Sequence, residues 1–192
     1  MKASHECHVL QRHYEQCRLK AYADPASPLA VALRLGLPTA GLSGAPWTIG
    51  WGHTGPDVHD GLVWTQEQAD AAHVADTERF ERDVTFLLGG ISIPQCQFDA
   101  LVCFAYNVGS DIDADNVAEG LGDSTLLKKV LAGDFQGAHA EFFKWDRARG
   151  VRMWGLTKRR TAEAGLFAGM SAKSAIALGD RAPRPTEEAT CS

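Results

Sequence analysis

With 192 residues, 45% of them hydrophobic and 22% charged, the chain can bury one substantial core, which excludes a disordered protein. The formal charge of −5 argues against a nucleic-acid partner, which calls for a basic face. No run reaches the roughly 18 apolar residues that cross a bilayer, and the opening MKASHECHVLQRHYEQ lacks the apolar stretch of a secretory signal, so a chain that starts in the cytoplasm without stable membrane insertion is expected.

The first predicted element is a helix from Ser4 to Arg18, with Val9, Leu10, Tyr14 and Cys17 recurring at three- and four-residue intervals. The region from Ala21 to about Thr65 reads differently. In PWTIGWGHTG, Trp47, Ile49 and Trp51 alternate with Thr48, Gly50 and Gly52, which is strand spacing with glycine-permitted bends. Before it, Pro25, Pro28, Pro38 and Pro46 interrupt a turn-rich segment, within which SPLAVALRLG predicts a short helix. Leu29, Leu33 and Leu35 would give that helix an apolar side to pack on the small lobe.

Helices dominate the remainder. TQEQ, Thr65 to Gln68, fits a capping box that opens a helix running to Gly89-Gly90. SIPQCQFDALVCFAYNVG follows, with Pro94 in its first turn, Phe98, Leu101, Val102 and Ala105 on one face and Gly109 as its stop. Shorter helices are predicted at STLLKKVLAG, DFQGAHAEFFKW and LTKRRTAEAGLFAG, and from about Met170 the small, polar sequence reads as a loose tail. The expected organisation is one α+β domain over 1–169, with a small β lobe over about 19–64 that carries an inserted segment, 25–46, and a flexible tail over 170–192.

Five scattered cysteines, Cys7, Cys17, Cys96, Cys103 and Cys191, are an odd number. Free thiols suit a cytoplasmic start, with Cys96 and Cys103 as helix packing residues. HECH with His13 and Cys17 lacks the two tight ligand pairs of a zinc site, since only His13 and Cys17 share a helix face. No metal or cofactor is expected.

Two acids stand out by position. Glu15 falls near the end of the first helix, and Asp24 follows after QCRLKAYA. Judged alone, Glu15 is a solvated helix-end acid and Asp24 a turn residue before Pro25. Their context changes that reading. Glu15, QCRLKAYA, Asp24 and then Thr48 in WTIGWGHT resemble the signature of the phage-type lysozymes, the endolysins of glycoside hydrolase family 24. The likeness extends over roughly residues 8–169. QFDALVCFAYNVG resembles that family's long central helix, and STLLKKVLAGDF, FFKW and GLTKRRTAEAGLF its C-terminal lobe. Two departures are visible: 23 residues separate Asp24 from Thr48 where the family has about five, and Gln16 follows Glu15 where glycine is frequent.

The resemblance implies a lysozyme-like fold, a small sheet lobe joined by a long central helix to a helical lobe. It implies a muramidase that hydrolyses the β-1,4 bond between N-acetylmuramic acid and N-acetylglucosamine of peptidoglycan for host cell lysis. Cleaving that bond takes a proton for the leaving oxygen and an activated water at the anomeric carbon. Glu15 would be the general acid, with partial burial helping it to hold its proton. Asp24 and the Thr48 hydroxyl would position the water, which implies inversion and carboxyl groups roughly 6.5 to 9.5 Å apart. By the same resemblance Arg159 supports the catalytic Glu, while Gly52, His53, Tyr106, Asn107 and Thr125 are expected to meet substrate. Each also has an ordinary reading: a surface cation for Arg159, a structural hydrogen-bonding role for His53, a core ring for Tyr106, a helix-start hydroxyl for Thr125. The implied partners are a peptidoglycan strand, in a Gram-negative host, and a separate holin that releases a monomeric enzyme. A lytic transglycosylase and a non-catalytic glycan-binding protein on the same fold remain the alternatives.

Overall fold

The computed structural model describes residues 1–113, 119–148 and 150–184. The chain divides into two compact units. One is Glu15–Asp76, and the other combines Met1–Tyr14 with Thr77–Ser192.

In the smaller unit, β1 (Arg18–Ala23), β2 (Trp47–Gly50) and β3 (His53–Thr54) form an antiparallel sheet in that order. Arg18 lies opposite Gly50 and Tyr22 opposite Thr48, with an irregularity between them. The far edge of β1 is covered by the chain at Leu62–Trp64. Ala21 N–H donates to Leu62 O at 2.9 Å and Trp64 N–H to Leu19 O at 2.8 Å. Ala21, Ile49 and Val58 make a small core, with Trp47, Leu62 and Trp64 packed on it. This pairing explains why the first helix stops at Tyr14 and does not reach Arg18. From Arg18 onward the backbone groups bond across the sheet, and a helix would forfeit those bonds.

The inserted segment does loop out and return. Asp24 N–H donates to Gly44 O and Pro46 O at 3.1 and 3.0 Å, and Leu29 N–H to Ser43 O at 3.1 Å, so the two ends lie side by side. Within it α2 (Pro28–Leu35) forms, with the Ser27 hydroxyl accepting from Ala30 N–H and Gly36 closing it in the left-handed region. Its leucine face is not packed as expected. Ala32 is the buried residue of the helix, whereas Leu33 and Leu35 are each 63% exposed. The helix turns an alanine inward and leaves these two leucines to solvent.

In the larger unit α1 (His5–Tyr14) packs on α4 (Gln95–Val108), and α4 packs on α7 (Trp154–Phe167). Residues Gln97 through Ala105 are all buried, so α4 is a core helix on every side and not the one-faced helix that its pattern suggested. The longest helix is α3 (Gln66–Leu87), which carries the chain from one unit into the other; the stretch read as the central helix is this core helix. Thr65 opens α3 with the expected capping box: its hydroxyl accepts from Gln68 N–H at 3.2 Å, and the Gln68 side-chain Oε1 accepts from Thr65 N–H at 2.8 Å. The short helices α5 (Thr125–Leu131) and α6 (Phe135–Glu141), a 3₁₀ turn at Phe142–Trp145 and the β4–β5 hairpin (Arg147–Ala148, Val151–Arg152) complete the connection to α7. The described cysteines, Cys7, Cys17, Cys96 and Cys103, are free thiols.

The stretch expected as a loose tail opens with a helix. Residues Ala172–Asp180 form α8, capped by Ser171, whose hydroxyl accepts from Ser174 N–H, and by the Glu6 carboxylate, which accepts from Ala172 N–H. Its small residues are the reason it packs: Ala172, Ala175 and Gly179 are buried against α7. The rest of the expected tail, 185–192, lies outside the described residues.

The contact at Gly179 can be tested directly. A Cβ there would lie 2.5 Å from the Lys158 carbonyl oxygen and 2.5 Å from the Tyr14 hydroxyl, whereas one at Gly155 meets nothing within 4 Å. Gly179→Ala is expected to destabilise by about 1–3 kcal/mol, lowering the urea midpoint at unchanged slope. Gly155→Ala is expected to be neutral or to stabilise by up to about 1 kcal/mol. Equal midpoints for the two variants would show that α8 does not depend on close approach.

Candidate active site

Glu15 is the first residue after α1, half-buried at the bend into β1. The β2–β3 turn comes up to it. At Gly52, with φ +93°, a Cβ would lie 3.3 Å from Glu15 Oε2 and 3.7 Å from its carboxyl carbon. Glycine serves two needs here: it adopts the positive φ, and it leaves the space that the carboxylate occupies.

Asp24 is the first residue beyond β1. Its main chain is tied to the returning insertion, and its Oδ1 accepts from Ala26 N–H at 2.6 Å, a local turn that fixes the side chain. Thr48, in β2, lies directly opposite Tyr22. Side chains alternate along a strand, so Asp24, two residues beyond Tyr22, continues the face on which Thr48 stands. Diagonal neighbours on one face stand roughly 7–8 Å apart, less at Cβ. The 23-residue separation in sequence is therefore closed by register. Asp24 and Thr48 are both half-buried.

His53 follows Gly52, and both of its ring nitrogens are engaged. Nδ1 lies 2.8 Å from Asp76 Oδ2 and Nε2 lies 3.3 Å from Asp57 Oδ2, with the ring against Trp64 at 5.2 Å. Sequence reasoning missed what holds this turn. Trp51 Nε1–H donates to Asp70 Oδ1 at 2.7 Å, and Gln66 Nε2 donates to the same oxygen at 3.1 Å. Gln66 also lies within weak hydrogen-bonding range of Cys17 Sγ, two residues after Glu15. The Trp51 ring sits 6.2 Å from that of His73. The residues on both sides of the Glu15 carboxylate are thus tethered to the first turns of α3. The signal was present in TQEQADAAHVAD, where Gln66, Asp70 and His73 recur at four- and three-residue spacing and make one helix face polar.

The other residues singled out from the sequence lie in the larger unit. Asn107 Oδ1 accepts from Arg160 Nη2 at 2.7 Å, and Glu163 Oε1 accepts from Arg160 Nη2 and from Arg159 Nε, each at 3.0 Å. Asn107 and Arg159 thus belong to one network, most of it buried, whose centre, Arg160 and Glu163, is fully enclosed. The half-buried Tyr106 ring packs on Phe80 at 5.3 Å. Thr125 is exposed at the start of α5, where Ser124, not Thr125, supplies the cap.

Residues 12–163 match the model of the phage lysozyme family. The endolysin of Acyrthosiphon pisum secondary endosymbiont phage 1 is 39% identical over 166 residues, covering 83% of this chain and 92% of that one. The endolysin of Bacillus phage B103 is 44% identical over 121 residues, 63% of this chain but only 43% of its own length, so the match spans less than half of that relative. Among solved structures, the muramidase domain of SpmX from Asticaccaulis excentricus superposes with a TM-score of 0.69 at 27% identity, covering 88% of this chain and 99% of that one. The endolysin from Escherichia coli O157:H7 phage FAHEc1 gives 0.65 at 29% identity, with 88% and 94% covered.

The Trp51–Asp70 bond is open to measurement. Trp51→Phe keeps a ring beside His73 and removes the donor, which should cost about 1–2 kcal/mol. In a double-mutant cycle with Asp70→Asn, a coupling of about 1 kcal/mol is expected. Simple additivity of the two substitutions would mean that the indole does not hold the turn.

Proposed function

The chain belongs to the phage lysozyme family, and from that premise we propose that it is an endolysin, a muramidase that hydrolyses the β-1,4 bond between N-acetylmuramic acid and N-acetylglucosamine in peptidoglycan. The observation that carries the reading is the Glu15 carboxylate seated against the Gly52 turn, in a unit whose sheet also brings Asp24 and Thr48 to one face. Glu15 gives its proton to the leaving glycosidic oxygen. Asp24 has one oxygen fixed by Ala26 N–H; the other accepts a hydrogen bond from water and takes its proton as the water attacks, while the Thr48 hydroxyl holds the same water. Attack from the face opposite the leaving group then inverts the anomeric carbon. We propose that Gly52, His53, Tyr106, Asn107 and Thr125 meet the glycan and that Arg159 has a supporting part.

Among the described residues, no helix is long and apolar enough to cross a membrane. We propose that a separate pore-forming protein, a holin, delivers the enzyme to the wall from the host cytoplasm, and that it acts as a monomer.

Glu15→Gln retains shape and loses the transferable proton, so turnover on outer-membrane-stripped cells should fall about 10²- to 10⁴-fold with an unchanged circular dichroism spectrum. Full clearing by this variant would refute the assignment. Mass spectrometry of wild-type digests should show reducing muramic ends; 1,6-anhydro ends, lighter by one water, would make the protein a transglycosylase.

Delivery has its own test. Cells expressing the chain alone should stay intact until chloroform or a co-expressed holin is added. Lysis without either would mean that the protein exports itself.

A further inference from the structure

A cavity of about 620 Å³ opens in the larger unit, among the 3₁₀ turn, α7, α8 and the segment that follows α8. Its volume lies within the range of small-ligand sites. Phe143 and Leu178 give it apolar walls, and Arg152, Arg181 and Arg184 bring three guanidinium groups to it. One carboxylate, Asp146, also lines it, and that charge is already neutralised: Arg152 Nε lies 2.9 Å from Asp146 Oδ2, which also accepts from the Thr157 hydroxyl at 3.1 Å. Arg181 and Arg184 have no carboxylate partner among the described residues.

The segment that carries these two arginines is held in place. Arg181 N–H donates to Leu178 O at 3.2 Å at the end of α8, and Trp154 Nε1–H donates to Ala182 O at 3.2 Å. The Arg184 guanidinium rests 4.4 Å over the Trp154 ring. The match to the phage lysozyme family ends at residue 163, so Leu178, Arg181 and Arg184 all lie beyond it.

We propose that this cavity binds a short acidic peptide by its carboxylates, and that its occupant is the stem peptide of peptidoglycan, an assignment that rests on the substrate proposed above. Guanidinium groups hold carboxylates through paired, charge-assisted hydrogen bonds. The stem offers such carboxylates on aliphatic residues, whose methyl and methylene groups suit Phe143 and Leu178, while Thr157 and Thr161 offer hydroxyls to its amides. A bare phosphate would leave the apolar walls unused. An anionic bilayer would need a convex surface, and this one is concave.

The test measures binding of free L-Ala-γ-D-Glu-diaminopimelate-D-Ala by calorimetry, beside the same peptide with its carboxylates amidated, inorganic phosphate, and anionic phospholipid vesicles. The acidic peptide should bind with 1:1 stoichiometry, and amidation should weaken it at least about tenfold. Arg181→Gln with Arg184→Gln should weaken it by at least the same factor; both side chains are exposed, and circular dichroism verifies the fold. The Glu15→Gln chain should bind the peptide normally, so peptide binding and turnover fail independently if only one of the two readings is wrong. Equal binding of the amidated peptide, or preference for phosphate or vesicles, would overturn the proposal. So would binding that appears only after Glu187 and Glu188 are replaced by glutamine, which would assign the cavity to the chain's own acids.

Discussion

The smaller unit depends on one close approach, the β2–β3 turn against the carboxylate of Glu15. A residue without a Cβ holds φ +93° at position 52 without strain and leaves Oε2 its space, since an added carbon would lie 3.3 Å from it, tighter than ordinary contact. The neighbours follow from that requirement. A turn carrying two positive-φ glycines, Gly50 and Gly52, is intrinsically loose, since glycine loses most conformational freedom on ordering. The side chains flanking Gly52 supply what its backbone cannot: Trp51 is bonded to Asp70 and His53 to Asp76, six residues further along the same helix. A flexible backbone is thus fixed from outside by α3, and the carboxylate gains a rigid wall. The turn is thereby held without bulk near the acid.

The larger unit solves a different problem. Arg160 and Glu163 are completely enclosed, and burying charges costs several kcal/mol per ion unless geometry and hydrogen bonds compensate. Here compensation comes from several sides. Glu163 accepts from two adjacent arginines one turn earlier on its own helix, Asn107 accepts from Arg160, and the Arg160 guanidinium lies 4.8 Å over the Phe104 ring. Most of the partners sit on α4 and α7, so the network fixes the register of two helices whose contact is otherwise made by interchangeable apolar side chains. Registry is the best-attested use of such buried pairs.

What was legible in the sequence was the part governed by local chemistry. Thr65 with Gln68, Pro94 and Gly109 mark helix ends because caps and stops act over three or four residues, and each stands at a helix end in the fold. The alternation around Thr48 gave β2. The first helix was read too long because Cys17 continues its pattern, while the bonds that pull Arg18 into a strand come from Gly50, far along the chain. The last helix was missed because alanine and glycine carry little hydrophobic signal, although their smallness is what lets α8 lie against Lys158 and Ala162. The positions of Glu15, Asp24 and Thr48 could be named from a pattern. The supports of the β2–β3 turn could not, since Trp51–Asp70 and His53–Asp76 are long-range pairs and no residue in them is unusual by itself.

The insertion between Asp24 and Thr48 shows how such a site tolerates added chain. Loop closure costs grow slowly, about 0.6 kcal/mol per doubling of length, so the larger threat is to register: a one-residue slip in β1–β2 would turn Thr48 to the opposite face. The backbone of Asp24 answers that threat. Its single N–H is shared between Gly44 O and Pro46 O, and so the last residue before the insertion is fastened to the last residues of it. Gly44 allows the approach, for a Cβ there would lie 2.6 Å from the Trp47 ring and 2.9 Å from Ala23 Cβ. The segment is closed at its neck, and everything beyond the neck is free to vary without moving Asp24 or Thr48. Leu33, Leu35 and Leu37, between 54% and 63% exposed, lie beyond that neck. Their exposure is a property of the excursion alone, and the sheet beneath keeps the register that its two polar residues require.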